Sequence, residues 1–382
     1  MPVRLGVIGL GNMGTTHCRT IQSISDIDLI AVSDIRRSRV AKLTERYSCA
    51  GYDDPLALIG SGSCDAVLIA TPHFDHTPLG IAALKRGLHV LVEKPISAQK
   101  SDCEKLIKAH RNPDQVFAAM FNQRTNRHYQ KIRQMIQDGS LGKVQRFSWT
   151  ITDWFRPQSY YDSGGWRATW AGEGGGVLLN QSPHQLDLMQ WLFGMPAQIH
   201  AFCGFGKYHD IEVEDSVTAM LKYDSGTEGL FITTTGEAPG LNRLEIAAEN
   251  GLLVYDTSDA VIRFKRNDKP IAQAIAENAP FSAPATEDIE VLVVGEGKQH
   301  LEVLENFVAA ILKGETLIAP AAEGIASVEL ANAMLLSSAT EKPISLPLSS
   351  RQYAAQLKKW VAISKYKLDA PEADVEDLSN SY

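Results

Sequence analysis

The sequence predicts a two-part chain, in which a doubly wound α/β domain with a parallel sheet precedes an α+β domain whose largely antiparallel sheet is backed by helices. Its 382 residues suffice for two domains. As far as about residue 121, short β-branched runs alternate with segments of helical period, a pattern typical of a parallel sheet covered on both faces. After Asn122, strand-like stretches are separated by turn sequences such as residues 223–226, which favour antiparallel hairpins.

The predicted elements follow these patterns in chain order. In the first domain, strands are predicted at residues 5–8, 29–32, 66–70, 89–92 and 116–120. In the second, a helix near 129–138 precedes strands at 144–152, 197–204, 216–223, 229–235, 243–248, 252–256 and 260–264. Residues 265–298 are polar and irregular, helical spacing returns over 299–313 and 322–338, and 343–347 is a candidate edge strand. We therefore place the domains at residues 1–122 and 123–365, with a frayed acidic tail over 366–382.

Charge and cysteine content narrow the function classes. The formal charge is −8, from 37 Lys and Arg against 45 Asp and Glu, so no overall cationic field attracts nucleic acid or an anionic membrane. The five cysteines are widely spaced, odd in number and without a C-x-x-C pair, which supports neither a disulfide framework nor a thiolate zinc site. No apolar run reaches the roughly 18 residues of a membrane span. We expect a cytoplasmic protein that acts on a small molecule.

A glycine-rich turn lies between the first predicted strand and the helix that follows it. Gly9 permits the tight turn, Gly11 lets a pyrophosphate approach the backbone, and Gly14 lets the helix pack on the strand. Asp34 closes the next strand about 20 residues later, where a carboxylate binds a ribose diol. The combination predicts a dinucleotide-binding Rossmann domain; the alternative is a glycine-rich turn that binds nothing.

The same acidic residue bears on which cofactor is bound. A carboxylate at Asp34 repels a 2′-phosphate and so favours NAD over NADP. Arg36 and Arg37 follow it directly, and a guanidinium there could accept that phosphate. NAD is therefore the expected cofactor, with NADP as the less favoured alternative.

Three further segments share their motifs with a known family. They are Ala70-Thr71-Pro72 with His76, the run 87–95 that ends in Glu93-Lys94-Pro95, and the run 174–187, which reads GGGVLLNQSPHQLD. Together they resemble the Gfo/Idh/MocA oxidoreductases, named for glucose-fructose oxidoreductase and inositol dehydrogenase, over residues 3 to about 347. The resemblance implies hydride transfer between a nicotinamide and a secondary alcohol of a sugar or cyclitol.

Lys94 and His184 are the candidate proton-handling groups. Lys94 follows a predicted parallel strand, at the edge where open α/β sheets build their sites, and the resemblance implies a cis bond to Pro95. His184 begins a helix after Ser182-Pro183, and both the helix dipole and a nearby lysine keep its imidazole neutral, as a general base requires. The alternatives are a surface lysine before a turn and a histidine that only packs or caps.

Two neighbouring positions modify this picture. Asn180 stands where an aspartate is common in the family, and an amide carries no charge to stabilise a protonated imidazole, so we expect Lys94 to share the proton handling. Asp187 either pairs with a basic group or faces solvent.

His73 and His76 form an H-x-x-H pair, for which the resemblance implies that His76 supports the cofactor loop. The alternative is that both histidines cap the following helix. A metal site is disfavoured, because no further ligands complete a set.

Aromatic residues are concentrated between Trp149 and Trp170. Four of the six tryptophans lie there, interleaved with tyrosines, arginines and glycines in a stretch that is neither a clean strand nor a clean helix. Flat rings stack on the C–H faces of pyranoses while arginine and tyrosine donors orient hydroxyls, so the stretch is a candidate sugar platform. Ordinary core packing is the alternative.

The resemblance and the local patterns together predict an NAD-dependent dehydrogenase or reductase of a sugar, a glycoside (with C3 as a candidate position) or a cyclitol, acting as a homodimer or homotetramer. The alternatives are a redox-neutral NAD-dependent glycosidase and a non-catalytic sugar or NAD sensor. The catalytic candidates are Lys94, His184 and Asn180. The cofactor candidates are Gly9, Gly11, Asn12, Met13, Gly14, Asp34, Ile35, Arg36, Thr71, Pro72, His73, His76, Glu93, Lys94, Pro95 and Asn122. The substrate candidates are Lys94, Arg124, Trp154, Arg156, Tyr160, Trp166, Arg167, Asn180 and His184.

Overall fold

A computed structural model describes residues 1–277 and 280–366. Its first sheet has six strands, all parallel, in the order β3-β2-β1-β4-β5-β6. These strands are β1 (Val3–Ile8), β2 (Ile27–Ser33), β3 (Ala50–Tyr52), β4 (Ala66–Ile69), β5 (His89–Val92) and β6 (Phe117–Ala119). The helices between them are α1 (Asn12–Ile21), α2 (Arg37–Tyr47), α3 (Pro55–Gly60), α4 (His73–Lys85) and α5 (Lys100–Ala109).

This order confirms the doubly wound sheet predicted from the apolar runs. The strand order reverses between β1 and β4, so the carboxyl ends of these two strands border the crevice in which such sheets bind ligands. The short edge strand β3 was not predicted, because its three residues are half-exposed or exposed and carry no apolar run.

The second sheet has nine strands in the order β14-β13-β12-β11-β7-β10-β9-β8-β15. Every pairing is antiparallel except that of β7 with β10, which confirms a largely antiparallel sheet. The strands are β7 (Val144–Ile151), β8 (Gln198–Phe205), β9 (Glu214–Lys222), β10 (Glu228–Thr234), β11 (Asn242–Ala248), β12 (Gly251–Asp256), β13 (Val261–Asn267), β14 (Thr286–Val291) and β15 (Ile344–Ser345).

Seven further α-helices follow α5 in the described parts of the chain. They are α6 (Arg127–Gln137), α7 (Gln158–Asp162), α8 (Pro183–Phe193), α9 (Ile271–Ala276), α10 (His300–Lys313), α11 (Gly324–Thr340) and α12 (Ser350–Ala362). The stretch 265–298 was read as irregular, but it contains α9 and the edge strand β14. The signal was missed because half of β14 is acidic and its side chains are exposed or half-exposed.

The buried helix α11 connects the two sheets. It packs against β8 and α8 on one side and against α5 on the other. The ammonium of Lys100, in α5, donates to Glu329 Oε1 and to the carbonyl oxygen of Leu348, both at 2.8 Å. The backbone N–H of Lys100 donates to Asn332 Oδ1 at 2.9 Å. These buried contacts hold the first sheet against the second.

Helix α10 packs on the parallel sheet although it follows the second sheet in sequence. Val303, Leu304 and Phe307 share one buried cluster with Leu5 and Leu68 of the parallel strands. The chain then runs antiparallel to β6, where the N–H of Ala119 donates to the carbonyl oxygen of Ala319 at 3.0 Å. The predicted domain boundary at residue 122 therefore assigns α10 to the second domain, although this helix packs on the sheet of the first.

Three further expectations from the sequence concern membrane-spanning helices, the cysteines and the acidic tail. Within residues 1–277 and 280–366, no helix is long and apolar enough to span a bilayer. All five cysteines are free. The tail predicted from residue 366 lies, from residue 367 onward, outside the described residues.

Candidate active site

The glycine-rich turn joins β1 to α1 at the carboxyl edge of the parallel sheet. Gly9 has a φ of +90°, and a Cβ there would lie 2.6 Å from the carbonyl oxygen of Ala70. A Cβ on Gly14 would lie 1.7 Å from the carbonyl oxygen of Gly9. At Gly11, by contrast, a Cβ would meet nothing within 4 Å, so the turn is open above the first turn of α1, which has no side-chain cap. The turn therefore fits a pyrophosphate, whose charge the helix N-terminus stabilises.

The carboxylate of Asp34 closes this turn from the end of β2. Its Oδ2 accepts the N–H of Leu10 at 2.7 Å, and its Oδ1 accepts the N–H of Arg36 at 2.8 Å. Each oxygen keeps acceptor capacity, as binding of a ribose diol requires. The guanidinium of Arg37 pairs with Asp53 at 2.9 Å, and that of Arg39 lies 3.6 Å from Asp34 Oδ2. Of the other predicted cofactor residues in this region, Asn12 and Met13 begin α1 and Ile35 is exposed.

His76 joins two loops at the same sheet edge. Its Nδ1 lies 2.8 Å from the carbonyl oxygen of Pro95, and its Nε2 lies 2.8 Å from that of Thr71. The Lys94–Pro95 peptide bond is cis, as the resemblance implied. Pro72 precedes the first residue of α4, so the loops after β4 and β5 are held together. Because both ring nitrogens face carbonyl oxygens, His76 has no nitrogen available to a metal.

Glu93 fixes the loop after β5 to helix α1. Its Oε1 accepts a hydrogen bond from Nε2 of His17, in α1, at 2.6 Å, and its Oε2 accepts the N–H of Lys94 at 3.0 Å. Burial alone would raise the pKa of Glu93, but the hydrogen bond and charge of His17 outweigh it and lower the pKa to about 2. The ionised carboxylate thus ties α1 to the residue that follows β5.

Lys94 extends from the end of β5 towards the second sheet. Its Nζ donates to the carbonyl oxygen of Asn180 at 2.8 Å. Burial lowers the pKa of Lys94, and the nearby carboxylates of Glu93 and Glu173 oppose that shift. The ammonium is therefore a hydrogen-bond donor whose proton is held less tightly than that of an exposed lysine.

His184 is the second residue of α8 and is 3% exposed. Neither of its ring nitrogens has a hydrogen-bond partner within residues 1–277 and 280–366. Burial, followed by the charge of Lys94, lowers the pKa of His184 well below its usual value, so the imidazole is neutral. A buried polar atom without a partner costs about 1–3 kcal/mol, which a hydroxyl-bearing ligand could offset.

The side chain of Asn180 is held by a residue that the sequence analysis missed. Its Nδ2 donates to Oε1 of Glu173, and its Oδ1 accepts from the hydroxyl of Tyr160 at 3.3 Å. Glu173 is 2% exposed, and its Oε2 also accepts the N–H of Ala168 at 2.6 Å. Burial raises the pKa of this carboxyl. The available signal was an acidic residue directly before the three glycines 174–176.

The predicted aromatic platform divides into two groups. Trp149 and Trp170 are buried in the core of the second domain, so they pack as ordinary core residues. Tyr160, by contrast, lies beside Asn180 and Arg167. The guanidinium of Arg167 donates to the Tyr160 hydroxyl at 3.0 Å and lies 4.8 Å from the centroid of its ring. The Arg167 guanidinium also lies 4.7 Å from the ring of Trp166, whose edge meets His73 at 6.0 Å. On the other side, the guanidinium of Arg156 lies 5.2 Å from the Tyr160 ring and 5.4 Å from the Trp154 ring.

Arg124 is buried and held by acidic partners inside the protein. It is 1% exposed, and its Nε and Nη2 each donate to the carboxylate of Asp187 at 2.7 Å. Its Nη1 donates to Glu323 at 2.5 Å. Its Nε, Nη1 and Nη2 thus all donate inside the protein, whereas the substrate contact predicted for Arg124 stays a prediction, and Asp187 pairs with a base rather than facing solvent. Asn122 is buried beside it and donates to Gln299 Oε1 at 2.9 Å.

Comparisons with known proteins agree with this geometry. Residues 3–121 match the model of the oxidoreductase family with an NAD-binding Rossmann fold, and residues 129–254 match the GFO/IDH/MocA C-terminal domain. A myo-inositol 2-dehydrogenase of Thermotoga maritima is 28% identical, over 66% of this chain and 75% of its own length. A D-glucoside 3-dehydrogenase of Escherichia coli is 26% identical, over 90% of this chain and 98% of its own length.

A solved structure extends the match to the whole fold. The WlbA dehydrogenase of Chromobacterium violaceum, in complex with NADH and UDP-GlcNAcA, superposes with a TM-score of 0.79. It is 26% identical and covers 91% of this chain and 97% of its own. Both domains and the cofactor turn thus point to one assignment. The chain belongs to the Gfo/Idh/MocA family and is an NAD-binding oxidoreductase.

Proposed function

We propose that this oxidoreductase oxidises a secondary alcohol of a sugar-type substrate, with a pyranoside or a cyclitol as the preferred class. The observation that carries the proposal is the pairing of a buried neutral His184, with both ring nitrogens unpartnered within the described residues, and a half-buried Lys94 at the carboxyl edge of β5. A donor and a neutral proton acceptor in one site match the needs of a hydroxyl group that must lose its proton.

The proposed proton path uses three residues. Lys94 Nζ donates to the oxygen of the reacting hydroxyl, and the neutral imidazole of His184 accepts the hydroxyl proton. The residues of the glycine-rich turn and Asp34 would hold NAD, which would supply the acceptor for the hydride of the carbinol carbon. Asn180 fixes Lys94 through its carbonyl oxygen. Because oxidation releases a proton, we expect the oxidative direction to be favoured at mildly alkaline pH.

The substrate class rests on the aromatic segment and on the named relatives. Tyr160 and Trp166 offer ring faces, and Arg156 and Arg167 offer donors beside them. Such a combination suits a ring with an apolar C–H face and equatorial hydroxyls. The relatives named above act on myo-inositol and on D-glucosides, which supports a cyclitol or a glycoside, with C3 as the candidate position in a glycoside.

The first experiment mixes the purified protein with NAD or NADP and a panel of pyranosides, free sugars and cyclitols, and records absorbance of the reduced nicotinamide. We expect reduced cofactor to accumulate with at least one pyranoside or cyclitol, and faster with NAD than with NADP. Lys94→Met serves as the inactive control. Release of aglycone without reduced cofactor would instead identify a redox-neutral glycosidase, and cofactor binding without turnover across the panel would contradict the proposed substrate class.

We also propose that the outer face of the nine-stranded sheet is covered by a second copy in a homodimer or homotetramer. Phe202 on β8 and Met220 on β9 project from this face and are 66% and 64% exposed. Exposed apolar side chains on adjacent strands favour burial in an interface. Light scattering at micromolar concentration is expected to give at least twice the monomer mass, and Phe202→Lys/Met220→Lys to give the monomer. Leu56→Lys, which alters an exposed leucine on α3, should leave the mass unchanged, and a monomeric parent protein would refute the proposal.

A further inference from the structure

We infer that Glu173 is a positioning residue for alcohol oxidation: it orients the amide of Asn180 and supplies the counter-charge of Lys94, so that Glu173 and Asn180 act as one pair. The inference rests on the proposed function, because it concerns the same Lys94 and His184. It adds a residue that neither the sequence motifs nor the proton path described above requires.

The orientation of Asn180 follows from which groups can donate. An ionised carboxylate only accepts hydrogen bonds, so Glu173 Oε1 must face the NH2 group of Asn180. The amide oxygen is then left to accept from the hydroxyl of Tyr160, at 3.3 Å. Without the carboxylate the amide could rotate by half a turn and present its donors to Tyr160 instead. The other carboxylate oxygen is fixed by the N–H of Ala168 at 2.6 Å.

The main chain of the same segment holds two further site groups. The carbonyl oxygen of Asn180 accepts from Lys94 Nζ at 2.8 Å. The carbonyl oxygen of Glu173 accepts from Nδ1 of His73 at 3.0 Å. That bond places the proton of a neutral His73 on Nδ1 and leaves Nε2 as an acceptor. One short segment, fixed by the Glu173 side chain, thereby orients three polar groups of the site.

Charge gives Glu173 its second role. The charged and titratable groups that interact with Lys94 are Glu93, Glu173, Arg156, Arg167, His73, His184 and His300. Glu93 is already hydrogen-bonded to His17 at 2.6 Å and belongs to the strand that carries Lys94. Glu173 is therefore the carboxylate of the second domain that stabilises the Lys94 ammonium. The two cationic guanidinium groups have the opposite effect on that ammonium. Removing its charge should make the Lys94 ammonium more acidic.

The test exchanges the amide and the carboxylate. Glu173→Gln should lower kcat about 10–100-fold and move the alkaline limb of the pH–rate profile, where Lys94 loses its proton, about one unit to lower pH. Asn180→Asp should also lower kcat, because two carboxylates then face each other. The double variant Glu173→Gln/Asn180→Asp restores one donor, one acceptor and one negative charge. We expect it to recover kcat to within about fivefold of the parent and to return the pH limb.

A matched control separates this role from anchoring of the loop. Glu212 also accepts a backbone N–H of the segment, that of Trp170 at 2.6 Å, but contacts neither Lys94 nor Asn180. Glu212→Gln should lower the melting temperature without moving the pH limb. If Glu173→Gln behaves in the same way, or if the double variant folds but regains no activity, Glu173 is only structural and the inference is wrong.

A second measurement needs no turnover. In protein labelled with 13C at the lysine Cε, the Lys94 signal is identified by its loss in Lys94→Arg and titrated by NMR. We expect its pKa to fall in Glu173→Gln and to return towards the parent value in the double variant. An unchanged titration would overturn the inference even if a substrate is found. If no alcohol in the panel is oxidised, the proposed function fails separately, and the titration still decides the role of Glu173.

Discussion

His184→Ala is expected to lower kcat for alcohol oxidation by about 10²–10⁴-fold, the range usual for loss of a general base. The imidazole is neutral and buried, and within the described residues neither nitrogen is engaged, so alanine removes a proton acceptor without breaking an internal hydrogen bond. The affinity for NAD should remain within about twofold, because the glycine-rich turn and Asp34 belong to the other sheet. Stopped-flow oxidation rates and a cofactor titration measure the two effects.

The matched control for this variant is His200→Ala. His200 lies on β8, half-exposed on a strand of the second sheet, and its ring contacts Phe202 at 5.1 Å. The His200→Ala enzyme should oxidise substrate at the parent rate. A His184→Ala enzyme that retains turnover within about tenfold of the parent would refute the assignment, since a loss that small does not correspond to removal of the base.

Arg124→Met is expected to lower the free energy of unfolding by about 3–5 kcal/mol, the usual cost of leaving a buried charge without its partner. Asp187 lies in α8, is fully buried and, among residues 1–277 and 280–366, would keep only the amide of Gln190, at 3.1 Å, as a side-chain donor. Methionine fills much of the volume of arginine, so the change isolates the lost pairing. Urea unfolding followed by fluorescence gives the difference.

Two comparisons support the interpretation of that loss. Arg266→Met removes an exposed guanidinium whose 2.7 Å pair with Glu287 lies at the surface, and it should cost less than about 1 kcal/mol. Arg124→Met/Asp187→Leu removes both buried charges and should recover much of the stability lost in the single variant. If Arg124→Met unfolds within about 1 kcal/mol of the parent protein, the buried pair does not hold α8 in place.

The parts of this protein that the sequence predicted carry local signals. The strand, the glycine-rich turn and the acidic residue that follows lie within about 30 residues of one another, so their spacing alone identifies the cofactor domain. Lys94 and His184 were identified as site residues from motifs within short segments. Their neighbourhood in space depends on how the second domain packs against the parallel sheet, where the ring of His184 meets that of Phe121 at 6.3 Å, and no residue pattern encodes this packing.

The parts that were missed depend on distant partners. Arg124 and Asp187 are 63 residues apart, and nothing in either segment indicates that a buried pair forms. Glu173 was overlooked because a lone glutamate before glycines has no characteristic spacing to Asn180 or Lys94. The short edge strands β3 and β14 lack apolar periodicity, since an edge strand with exposed side chains requires none.

The packing of α10 has a consequence for how the chain is made. The parallel sheet completes one of its faces with Val303, Leu304 and Phe307, which leave the ribosome after strands β7 to β14 of the second sheet have been synthesised. A nascent chain ending near residue 122 therefore exposes an apolar face of its sheet to water. The dinucleotide-binding sheet is therefore not completed by the N-terminal segment that forms its strands, because its final layer comes from α10.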